Sequence, residues 1–154
     1  MAVQFRNVDL DPTSPVESWP FEAIATAIER GTVSDWARLA TAITAEPWGQ
    51  VARQVEELFG YSRPWGVTPL LERAIARARA QADGIERASV AETVRDLVAR
   101  SGLSMGEFAS RVGTSRPRLS TYRTGSVVPS ATLVVRMANL VERIESADRS
   151  RSPA

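Results

Sequence analysis

With 154 residues, 44% of them hydrophobic, the chain is long and apolar enough to bury a core unaided. It has no cysteine and no histidine, which removes most zinc chemistry and every nucleophile that relies on a histidine base. The net charge of +1 is unevenly spread: residues 1–82 carry ten acids and eight arginines, whereas residues 101–140 carry Arg111, Arg116, Arg118, Arg123 and Arg136 against Glu107 alone.

Residues 1–17, "MAVQFRNVDLDPTSPVE", show no helical period and hold two prolines, so they read as a loose arm. Residues 18–82 then repeat apolar side chains at helical spacing. The first stripe is Phe21, Ile24, Ala25 and Ile28, ended by Gly31. Ser34 caps a second, with Trp36, Leu39, Ala40 and Ile43. Pro47 opens a third, with Val51, Val55, Leu58 and Phe59, closed by Gly60. Thr68 as cap and Pro69 at the first helical position open a fourth, with Leu71, Ala74, Ile75 and Ala78. Arg73, Arg77 and Arg79 make this helix basic on one side; a solvated face is the simplest account, an acidic partner or a wider nucleic-acid footprint the alternatives.

All four tryptophans, Trp19, Trp36, Trp48 and Trp65, lie in this first part. Trp36 sits on a helical stripe and reads as core, while Trp48 and Trp65 occupy helix-start and loop contexts that permit exposure. The neighbouring carboxylates Glu56 and Glu57 point about 100° apart on a helix and cannot share one site. With no glycine-rich phosphate loop and no ligand cluster, the sequence offers no catalytic residue, no cofactor site and no metal site, and the chain does not read as an enzyme.

The stripe lapses at "ADGIERA", around Gly84, which marks the expected boundary between residues 18–82 and residues 83–146. Two capping boxes follow, Ser89 with Glu92 and Ser104 with Glu107, each expected to start a helix. The first buries Val90, Val94, Leu97 and Val98; the second buries Phe108, Ala109 and Val112 and ends at Gly113. A short basic helix comes next, then a loop with Gly125, then a helix capped by Ser130 that buries Val134, Met137, Ala138 and Val141 to about Ser146. Residues 147–154 read as a disordered tail. No alternating strand pattern occurs, so the expected fold is all-α, about eight helices in two parts.

Two short helices joined by a tight glycine turn are what a helix-turn-helix requires. "GLSMGEFASRVGTSRPRLSTYRTGSVVPSATLVVRMANL", Gly102 to Leu140, resembles the five-helix DNA-binding domain of the phage-repressor and Cro type, the XRE family. The resemblance rests on Leu103, Ser104, Ala109 and Gly113, on Ser115 opening the recognition helix, on Leu119 and Tyr122 facing inward, and on Gly125 and Pro129-Ser130. It implies base-edge contacts from Arg116, Pro117, Arg118, Ser120 and Thr121, and phosphate contacts from Ser104, Met105, Arg123, Thr124 and Ser126. Arginine suits the first role because it pairs bidentately with guanine O6 and N7. Two places depart from the family: Met105 stands where a glutamine is common, and the loop after Gly125 is the neutral Ser126-Val127-Val128.

The expected function is thus a sequence-specific DNA-binding repressor, a homodimer on a double-stranded operator. The architecture also looks similar to autoregulating antitoxins, with the amino-terminal helices binding a cognate toxin; the alternative is a protein–protein adaptor whose helix-turn-helix is a scaffold without DNA binding. The longest apolar run, "ATLVV", is too short to span a bilayer, and with no apolar leader the expected location is cytoplasmic, with no membrane partner. Pro117 restricts the residue before it, so Arg116 is expected to be the last non-helical residue and Pro117 the first helical one.

Overall fold

The computed structural model describes Phe5 and residues 9–151, and the regular structure among these residues is entirely helical. A 3-10 turn at Val16–Ser18 precedes α1 (Phe21–Arg30), α2 (Val33–Ala45), α3 (Gln50–Phe59), α4 (Val67–Ser101), α5 (Met105–Val112), α6 (Arg116–Thr124) and α7 (Ala131–Arg151). The chain divides into two compact units, Met1–Asp83 and Gly84–Ala154.

The first unit is built around Trp19, the largest fully buried side chain, together with Ile24 and Ile28 of α1, Leu39 and Ile43 of α2, Val55 and Leu58 of α3, and Leu71 of α4. Residues 11–17, read from the sequence as part of a loose arm, are held to this core. Val16 is buried, the Trp19 indole N–H donates to the Ser14 carbonyl at 3.1 Å, and the Arg38 guanidinium donates to the carbonyls of Pro12 and Ser14 at 2.8 and 2.9 Å while lying over the Trp19 ring. A stretch without helical period still offers backbone carbonyls, and one guanidinium has enough donors to take two of them. Phe5 packs edge-on against Trp19; residues 1–4 and 6–8 of the arm lie outside the described residues.

Several helix starts fall beside the expected cap. In α2 the cap is Thr32, not Ser34: the buried Asp35 carboxylate accepts from the Thr32 backbone N–H at 2.8 Å and from its hydroxyl at 3.0 Å. Two mutually satisfied groups outweigh a lone serine two residues later. α3 begins at Gln50 rather than at Pro47, with Gly49 as its cap. α4 begins at Val67, so Thr68 and Pro69 are its second and third residues; the Thr68 hydroxyl donates to the Pro64 carbonyl, and Pro69 lacks an N–H where none would be bonded.

The largest difference is α4 itself. The separate helix expected from Ser89 does not exist, because residues 67–101 form one helix and the Ser89 carbonyl accepts the hydroxyl of Thr93 inside it. Residues 83–89 are all exposed, so the lapse in the apolar stripe records lost packing and not a broken backbone. Gly84 disfavours helix by only about 1 kcal/mol relative to alanine, and the surrounding Ala, Gln, Glu and Arg are strong helix formers. The carboxy-terminal unit therefore has four helical segments, the second half of α4 and α5 to α7, where the family pattern has five.

Its core joins Val94 and Leu97 of α4, Phe108 and Val112 of α5, Leu119 and Tyr122 of α6, and Met137 and Leu140 of α7. On α7 the inward stripe is Leu133, Met137, Leu140 and Val141; Val134 is half-buried and Ala138 exposed, contrary to the expected set. α7 continues to Arg151, five residues beyond the expected end, with the Arg149 guanidinium and the Ser150 hydroxyl both bonded to Ser146. Residues 152–154 of the expected tail lie outside the described residues.

Candidate nucleic-acid interface

α5 and α6 are each defined by their own end chemistry. At the start of α5 the Ser104 hydroxyl oxygen accepts the Glu107 N–H at 3.2 Å, while the Glu107 carboxylate accepts the Ser104 N–H at 3.2 Å and its O–H at 3.0 Å. The helix stops at Gly113, whose φ of 78° is left-handed, and the Thr114 N–H returns to the Ala109 carbonyl at 2.9 Å. Two residues later Ser115 caps α6 by accepting the Arg118 N–H at 3.3 Å. Phe108, Ala109 and Val112 of α5 and Leu119 and Tyr122 of α6 are buried, which fixes the second helix against the first.

Helix α6 begins at Arg116, so Arg116 is its first helical residue and Pro117 its second. The expected one-residue delay does not occur. Pro117 falls in the first turn, where the missing N–H would have had no intrahelical acceptor, and the Ser115 cap takes the next N–H along the chain.

At about 100° per residue, burial of Leu119 and Tyr122 turns Pro117, Ser120, Thr121 and Thr124 outward and puts Arg116 and Arg118 on the two edges of that face. Arg116, Pro117, Arg118 and Ser120 are exposed. Thr121 is half-buried, its hydroxyl donating to the Arg118 carbonyl at 2.7 Å. The two arginines thus flank a neutral surface rather than stack on one side of it. Neither guanidinium makes a hydrogen bond or ion pair among the described residues.

The five residues assigned to phosphate differ in surroundings. Ser104 is exposed and engaged in its capping box. Met105, at the first position of α5, is half-buried against the carboxy-terminal core, extending its apolar stripe. Its sulfur accepts from Arg123 Nη1 at 3.4 Å, and Arg123 Nε is buried with no hydrogen-bond partner. Thr124 and Ser126 are exposed; their hydroxyls lie 3.1 Å apart, and both bond the Thr121 carbonyl. Gly125, with φ 79°, turns the chain out of α6, where a Cβ would meet the Ala91 side chain at 3.5 Å.

Two arginines have roles that the sequence did not reveal. Arg136 Nη1 donates to the Val112 carbonyl at 2.9 Å, and Arg95 Nη1 donates to the Arg123 carbonyl at 2.6 Å. Each satisfies a carbonyl near a helix end that has no intrahelical donor. Partners 24 and 28 residues away leave no local signal. Of the five arginines in the basic stretch, Arg111, Arg116 and Arg118 remain exposed and unpaired among the described residues.

Among the described residues no cluster of three acids stands ready to hold a metal, and no helix is long and apolar enough to cross a membrane. Residues 77–151 match a protein family described as a helix-turn-helix domain, the class of module that DNA-binding regulators carry. Neither the curated proteins nor the solved structures contain a match to the chain.

Proposed function

We propose that the protein is a sequence-specific DNA-binding transcriptional regulator that lays α6 in the major groove. The observation that carries this reading is the α6 surface: a neutral hydroxyl-bearing face flanked by Arg116 and Arg118, both exposed and unpaired, on a helix anchored by Leu119 and Tyr122. In this reading Arg116, Pro117, Arg118, Ser120 and Thr121 address base edges, each bidentate arginine–guanine pair contributing about 1–3 kcal/mol of discrimination. Ser104, Arg123, Thr124 and Ser126 meet phosphate, and Met105, whose side chain has no donor, does so through its backbone N–H at the start of α5. The regulator acts in the cytoplasm as a homodimeric repressor on half-sites about one helical turn apart, and the amino-terminal unit holds a protein partner, as a toxin is held in an antitoxin that represses its own operon.

Fluorescence polarisation with the DNA upstream of the gene tests the core of this reading. Specific binding should exceed binding to random DNA of equal length, and log affinity should fall with log salt at a slope of about −0.9 per phosphate contact. Arg116→Ala should cost about 1–3 kcal/mol on the specific sequence and little on random DNA. If affinity is undetectable or indifferent to salt, the adaptor reading replaces it. That rival is favoured by one observation, the docking of the Arg123 guanidinium on Met105.

A further inference from the structure

A groove in the amino-terminal unit is lined by residues of α2 and α4, none of them assigned to the DNA-reading surface of α5 and α6. Val33, Trp36 and Ala40 of α2 face Leu70, Arg73 and Arg77 of α4 across a cleft of about 510 Å³. Its lining runs from residue 33 to 44 on one wall and from 70 to 81 on the other, three turns of helix or about 17 Å on each side. Val33 is 72% exposed and Leu70 49%, so apolar surface stands open to water along both walls. Trp36 is a fixed wall, half-buried with its indole N–H on the Ala27 carbonyl at 3.0 Å.

The charge of the groove has one sign. Arg73 and Arg77 lie one turn apart, exposed, their guanidiniums with no hydrogen bond or ion pair among the described residues, and no acid lines the cleft. Arg79, on the same helix, is by contrast gripped by both oxygens of Glu56 at 2.7 and 3.0 Å.

We propose that this groove seats an amphipathic helix of a partner protein, its apolar stripe between Trp36 and Leu70 and acidic residues along its flank on Arg73 and Arg77. Walls that repeat every three or four residues match the anchor spacing of a third helix laid along them. Carboxylates on the incoming flank give both guanidiniums the charge-assisted partners they lack. A second copy of the chain is the wrong occupant, since a two-fold contact would bring Arg73 and Arg77 against the same cations. A small apolar ligand would leave both arginines unpaired. The proposal deepens the partner-holding part of the functional reading and is independent of DNA binding.

The test uses the full chain and two fluorescein-labelled four-turn peptides that share a leucine stripe at helical spacing; one carries glutamates on its flank, the other lysines. By anisotropy the glutamate peptide should bind at least about tenfold more tightly than the lysine peptide, and the Arg73→Glu/Arg77→Glu double variant should reverse that order. Ala37→Trp, at an exposed position lining the groove, should weaken the glutamate peptide by at least about tenfold while circular dichroism and DNA binding stay as in wild type. Equal binding of the two peptides, indifference to Ala37→Trp, or no binding of the glutamate peptide at about 1 mM overturns the proposal. Dimerisation of the chain that Ala37→Trp abolishes would assign the groove to a second copy and overturn it as well. DNA binding measured on the same variants separates failure here from failure of the regulator reading.

Discussion

The aromatic side chains left outside the protein all belong to the first unit: Trp65 is 99% exposed, Tyr61 68% and Trp48 50%. The second unit leaves out arginines and hydroxyls around α6, and its exposed large apolar residues are aliphatic: Ile85, the loop pair Val127 and Val128, and Val135. Each unit buries an apolar core of its own, so the contrast does not come from the lack of a core in either. It lies in what each surface gains by meeting something. Aromatic and aliphatic surface gains from contact with another protein's apolar side chains, whereas guanidinium and hydroxyl groups gain from anions and base edges.

Four experiments would break or sharpen this contrast. The largest effect is expected from Phe108→Ala, which empties a fully buried site in the second core and should cost about 3–5 kcal/mol. Because every tryptophan lies at or before residue 65, tryptophan fluorescence reports the first unit. Denaturant should therefore reveal the loss in far-UV circular dichroism, with the fluorescence midpoint near that of wild type; a shared shift would dissolve the two-unit contrast. Next in size is Gly113→Ala. It forces a left-handed residue at about 1–2 kcal/mol, and its Cβ would press on Arg136 Nη1 at 3.3 Å, so both the melting temperature and DNA affinity should fall.

Gly84→Ala should do the opposite. The position is helical with no atom near the added Cβ, so alanine should stabilise the chain by about 0.5–1 kcal/mol; destabilisation would mean that α4 is not continuous there. The smallest effect concerns Glu145, whose carboxyl is held below its ordinary value of 4.5 by hydrogen bonds from Arg100 at 3.0 and 3.1 Å. A depressed folded-state value means that the stabilisation is complete above pH 4.5 and is lost as pH falls through the lower folded value. Glu145→Gln should lower the melting temperature slightly at neutral pH and converge with wild type in acid, and salt should shrink the difference because the pair is exposed.

The helix ends around α5 and α6 were legible because their chemistry closes within a few residues. Ser104 and Glu107 satisfy each other, Gly113 takes a backbone angle that other residues resist, and Ser115 and Ser130 each reach an N–H three residues on. Elsewhere the same kind of reading failed. Ser89 and Glu92 have the same capping spacing, yet they lie within α4, since a capping sequence starts a helix only where the preceding chain does not already supply one. Ser34 lost to Thr32, whose partner Asp35 is buried.

The sequence by itself determined the all-helical class and the turn chemistry between α5 and α6, both set by period and by contacts a few residues apart, while its resemblance to a known family implied the inward placement of Leu119 and Tyr122. Only the tertiary structure decided that Arg123 rests on Met105, that Arg95 and Arg136 satisfy helix-end carbonyls, and that Arg38 fastens the carbonyls of Pro12 and Ser14. Those bonds join groups 18 to 28 residues apart in the chain, and a guanidinium on a long flexible stem carries no local mark of which distant carbonyl it will meet.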